Sequence, residues 1–127
     1  MNTLFLVSMI VEAIFAIGFI FFPDFLMDPM GVTLDETSRT FARLFGTAVL
    51  SFPVLLFFAR KSANLEFKGG VVYCIFTYYL ASAIILLITQ IKGLMSGMGW
   101  STVVLHIVFM LWSGYYLIKP GKRDSVG

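Results

Sequence analysis

The chain has 127 residues, of which 59% are hydrophobic and 13% charged, and its mean hydropathy is +0.93. Soluble domains are about 45–50% apolar and about 25% charged, and a fold this short hides only about two-thirds of its chain surface, so a water-soluble globule is excluded. Disorder falls by the same numbers, a disulfide scaffold falls because Cys74 is the sole cysteine, and a net charge of +2 leaves no electrostatic footprint for nucleic acid. What remains is an integral membrane protein.

A helix needs about 20 mostly apolar residues to cross a bilayer, and four stretches meet that length. The first covers about residues 4–22 and is interrupted by Glu12. It lacks a basic leader and a small-residue cleavage site, so it reads as a retained helix and not as a signal peptide. It can carry the acid: thirteen Leu, Ile, Val or Phe residues each contribute about −0.3 to −0.6 kcal/mol against about +3 for one carboxylate. Ser8, Glu12 and Ala16 recur at helical spacing and form one small, polar stripe.

Pro23 and Pro29 stop helix propagation in the first connection, and Gly31 permits a turn. Phe25, Leu26 and Met27 read either as part of a packed loop capping the bundle or as a segment dipping into the membrane interface, the first being the plainer reading. Thr33 followed by Glu36 has the spacing of a capping box, which predicts a second helix over about 34–59. Arg39, Arg43, Gly46, Leu50 and Pro53 share one side of it, and Ala42 with Gly46 forms a small-xxx-small pair suited to close helix packing. The third helix is predicted over about 70–91, with Tyr78, Ser82, Ile85 and Thr89 in line. The fourth covers about 100–118, with Thr102, His106, Met110 and Ser113 in line.

Orientation follows lysine and arginine. Arg60, Lys61 and Lys68 lie in or beside the second connection, and Lys119, Lys122 and Arg123 in the tail; Arg39 and Lys92 lie on the opposite side. Six against two predicts an up-down-up-down four-helix bundle, all-α and one transmembrane domain over 1–127, with both termini cytoplasmic in a cell inner (plasma) membrane.

Ionisable residues inside spans are site candidates by default. At 1.5 Å per residue from the outer ends, Arg43 lies about 3 Å deep, His106 about 9 Å, Ser82 about 14 Å and Glu12 about 15 Å. An Arg43–His106–Glu12 relay is then within reach, with Tyr78, Tyr79 and Ser82 a step away. The candidate binding residues are Glu12, Arg43, His106, Tyr78 and Ser82. Each also has a plainer role: Glu12 as a structural carboxylate, Arg43 as an interfacial anchor, and His106 as an interhelical hydrogen-bonder. One histidine and one cysteine cannot build a structural zinc site, and Gly93, Gly97 and Gly99 sit in a hydrophobic connector that does not match a nucleotide-binding loop. No metal, cofactor or catalytic residue is expected.

An apolar first helix, Phe22-Pro23, a short connection and Phe41-Ala42-Arg43-Leu44-Phe45-Gly46 opening helix 2 together resemble the DoxX-like superfamily of small four-helix bacterial membrane proteins. The resemblance covers most of the chain in layout. It implies a non-enzymatic protein that serves as an accessory subunit of a membrane complex or holds a lipid-like ligand between its helices; some members are implicated with membrane oxidoreductases, and distant relatives bind sterol-like molecules. A glutamate midway along the first of four short spans is also similar to the small multidrug resistance transporters, which exchange protons for cationic compounds at that acid. Glu12 matches by position, but the aromatic and glycine pattern of their third helix is missing. The expected partners are the lipid bilayer, a hydrophobic ligand, and a membrane protein or second copy of the chain.

Overall fold

The computed structural model describes residues 1–119, and every regular element among them is helical. Helix α1 spans Asn2–Phe21, a short α2 spans Pro23–Met27 and runs into a 3-10 turn at Asp28–Met30, α3 spans Glu36–Lys61, α4 Leu65–Ile91 and α5 Gly99–Ile118. The four long helices are each apolar and long enough to cross a membrane, the build of a multi-pass membrane protein. Lys122 and Arg123 of the tail lie outside the described residues.

Two helix starts differ from the sequence expectation. The N-cap of α3 is Asp35, whose carboxylate accepts from the Ser38 amide at 2.7 Å, so the Thr33–Glu36 capping box is not used. An acceptor one residue before the first turn satisfies orphan amides more directly. Helix α4 begins at Leu65, five residues before the expected start, because Asn64 caps the Phe67 amide at 2.9 Å. Gly69 and Gly70 are carried within the helix, where they cost propensity without breaking it. The expected capping loop contains a helical turn: Pro23 occupies the first turn of α2, where its missing N–H is not needed.

The helices associate as two close pairs, α1 with α3 and α4 with α5, and the pairs approach each other more loosely. Gly46 explains the first pairing. A Cβ there would sit 2.8 Å from Phe19 Cβ and 3.0 Å from the Ala16 carbonyl oxygen, so the backbones of α1 and α3 touch where both residues are small. Ala16 of the polar stripe and Gly46 of the small-residue pair are thus the crossing point.

The two ends of the bundle are unlike. At the end holding the chain start and the link 62–64, Leu4, Phe5, Leu56, Ala59, Val71, Val72 and Ile75 form a closed core. We call this the basic end, after Arg60, Lys61 and Lys68. At the other end, α2 and its 3-10 turn lie across the helices as a cap. Arg39 Nε donates to Asp24 Oδ2 at 2.8 Å and its Nη2 to Oδ1 at 3.0 Å. Across the bundle, the Ser96 amide and hydroxyl of the α4–α5 connection donate to the carbonyls of Met30 (2.7 Å) and Pro29 (2.8 Å). Gly31, at φ +75°, makes the turn that lets the chain leave the cap.

Candidate functional site

Beneath the cap lies a cavity of about 450 Å³, within the range of small-molecule sites. It lies at the division of the bundle: α3 packs onto α1 and α4 onto α5, and both pairs line it. Its walls are almost wholly apolar, and Met27, Met30, Leu34 and Met95 roof it. Among the described residues, no lysine or arginine lines it.

The polar groups gather at its deep end. Glu12 of α1, Tyr78, Tyr79 and Ser82 of α4, and Thr102 and His106 of α5 all line it. Glu12 is 4% exposed and Tyr79 2%. The hydroxyls of Tyr78 and Tyr79 lie beside the Glu12 carboxyl, with Ser82 next to Tyr78 and Ser8 next to Tyr79. Among the described residues the buried Tyr79 hydroxyl and Ser8 Oγ have no hydrogen-bond partner. His106 Nδ1 lies 2.8 Å from the Thr102 carbonyl oxygen. A carbonyl only accepts, so Nδ1 carries the proton of that bond, and in the neutral ring Nε2 is left as an acceptor.

An aromatic layer supports this cluster. Phe52 of α3 contacts Tyr78 at 4.7 Å between ring centroids, Tyr79 stacks on Phe109 at 5.0 Å, and Tyr79 meets His106 edge-on at 5.9 Å. Such pairs add about 0.5–1.5 kcal/mol each beyond their area. The layer forms the cavity floor, and the closed core of the basic end lies behind it.

Four of the five residues expected from the sequence, Glu12, Tyr78, Ser82 and His106, thus share one cavity. The expected relay is not formed. Arg43 is exposed and does not line the cavity. It stands one helical turn from Arg39 on α3, and its charge acts on Asp24 of the cap. Glu12 and His106 face the same space without an ion pair between them. Vertical depth placed them only about 6 Å apart, but depth carries no information about distance across a bundle. Sequence reading set Tyr79 behind Tyr78, although Tyr79 is the more buried and carries the unpartnered hydroxyl. Adjacent helical residues point about 100° apart, and only the packing of α4 on α5 decides which one turns inward. The i, i+4 spacing of Thr102 and His106 was the available signal for the bond that orients the imidazole.

Comparison with known proteins gives no matching family model, no matching curated protein and no matching solved structure.

Proposed function

We propose that this chain is a non-enzymatic membrane protein that holds a lipid-like molecule in the cavity beneath its cap. The observation that carries the reading is the unpartnered, buried Tyr79 hydroxyl beside the Glu12 carboxyl at the deep end of an otherwise apolar cavity. A buried hydroxyl without a partner costs about 1–3 kcal/mol, and a bound polar group that accepts from it removes that cost. Methionines in the roof suit a wall that adapts to a ligand's shape.

In this proposal the helices run up-down-up-down across a bacterial inner membrane, with both termini cytoplasmic and the cap on the outer face. A role as accessory subunit of a membrane complex, as the DoxX-like resemblance implies, is compatible with the same cavity. Native mass spectrometry of protein extracted in mild detergent tests the binding reading. A retained lipid of defined mass, lost in Glu12→Gln and Tyr79→Phe, is expected; protein free of bound mass in several detergents would sink it.

Proton-coupled exchange at Glu12 is the second reading, favoured by the absence of an ion pair to that acid among the described residues. It stands behind the first because release at the basic end would have to open a core in which Leu4, Phe5 and Leu56 are 0% exposed. Proteoliposomes under a pH gradient decide it. Uptake of cationic dyes that stops in Glu12→Gln supports exchange, and no uptake removes it.

A further inference from the structure

The cavity wall is breached at one seam. Of the residues lining it, Ser38, Phe41 and Phe45 on α3 and Ile85 on α4 are exposed, and the lining residues of α1 and α5 are all buried or half-buried. Phe41 and Ile85 are 66% and 63% exposed. The chain explains why the gap lies here. Helices α3 and α4 are joined by the short link 62–64 at the basic end and meet again through Phe52 and Tyr78. Beyond that contact, among the described residues, no aromatic pair or hydrogen bond joins α3 to α4 toward the cap, and each packs mainly on its own partner. Apart from Ser38, the exposed residues at the opening, Phe41, Phe45 and Ile85, are apolar. The way in from the aqueous side is blocked by the cap, tied to α3 by Asp24–Arg39 and to the α4–α5 connection by Ser96.

We propose that the cavity takes its ligand sideways from the hydrocarbon layer, through the α3–α4 opening, and that this ligand is an uncharged lipid alcohol. This rests on the binding reading above. Glu12 and Ser82 each lie nine residues, about 14 Å, from the cap ends of α1 and α4, near mid-bilayer, where a charged headgroup is costly. A phosphate entering there would find no lysine or arginine in the lining and would face the Glu12 carboxyl. A hydroxyl suits the groups present: its oxygen accepts from the Tyr79 hydroxyl, and its proton goes to His106 Nε2 or the Glu12 carboxyl. A molecule with one hydroxyl also dissolves in hydrocarbon far more readily than a phospholipid headgroup, so it can reach the opening at that depth.

Photolabelling of the full chain in phosphatidylcholine vesicles tests this with two probes, a diazirine-bearing hexadecanol and a phosphatidylcholine with the diazirine in its acyl chain. Labelled residues are mapped by mass spectrometry. Two double-cysteine variants in a Cys74→Ser background are bridged after purification with a bis-maleimide: Phe45→Cys/Ile85→Cys across the opening, and Pro29→Cys/Ser96→Cys across the cap. The alcohol should label Glu12 and Tyr79, and the phospholipid should label only the rim and the outer faces. Bridging the opening should cut alcohol labelling of Glu12 and Tyr79 several-fold relative to the unbridged variant, and bridging the cap should leave it unchanged. Loss under the cap bridge alone, equal loss under both, no loss under either, or phospholipid labelling of Glu12 and Tyr79 to the same extent would overturn the proposal. If the alcohol labels neither residue in the unbridged protein, the binding reading itself falls.

Discussion

The Tyr79 hydroxyl is held by its ring, stacked on Phe109 and set edge-on to His106, and not by any hydrogen bond. Removing it should therefore separate stability from binding. Tyr79→Phe keeps the stacking and deletes the unpartnered polar atom, so thermal unfolding of delipidated protein in detergent should be unchanged or raised, by up to about 1 kcal/mol. Retention of the co-purifying lipid should fall in the same variant. A loss of stability would mean that the hydroxyl has a partner in solution. Gly46 gives the opposite case. Gly46→Ala places a Cβ against Phe19 and the Ala16 carbonyl, and overpacking of this kind costs about 1–3 kcal/mol. Gly70→Ala meets no heavy atom within 4 Å and replaces a helical glycine, so the same melts should show it neutral or stabilised by up to about 1 kcal/mol.

At the scale of elements, the cap depends on ionised carboxylates. The Arg39 guanidinium holds the Asp24 carboxyl below its ordinary range, and the Ser38 amide does the same for Asp35 at the N-cap of α3. Both acids titrate lower in the folded protein than in the unfolded chain, so their contribution is complete above the unfolded value and is lost as pH falls through the folded one. Below about pH 4, the ordinary aspartate range, the cap should loosen while the long helices persist. Hydrogen exchange mapped by mass spectrometry should show faster exchange in residues 23–35 on acidification, and Asp24→Asn should show the same change at neutral pH. Unchanged exchange would mean that the Ser96 bonds hold the cap without the ion pair.

For the whole molecule the testable quantity is orientation. With Arg60, Lys61, Lys68 and Lys119 at one end of the spans and Arg39 and Lys92 at the other, a C-terminal fluorescent-protein fusion should fluoresce and a C-terminal alkaline phosphatase fusion should stay inactive. The reverse result would put the cap on the cytoplasmic face or indicate insertion in both directions.

Composition alone determined that this is a helical membrane protein, because 59% hydrophobic residues cannot be hidden in so small a soluble fold, and four apolar runs of bilayer length leave little choice of element. Glu12, Tyr78, Ser82 and His106 were legible as inward-facing residues, and all four line the cavity, for a related reason: a polar group in a span must face inward, so depth and period identify it. Arg43 looked equivalent by that rule and is not, since an arginine near a helix end can reach the interface from an outward face. Tertiary structure decided what one-helix periodicity does not contain. The Gly46–Ala16 crossing pairs α3 with α1 while α4 pairs with α5, and the cavity lies between the two pairs beneath the cap. Packing between helices, and not the pattern along any one of them, made the cavity.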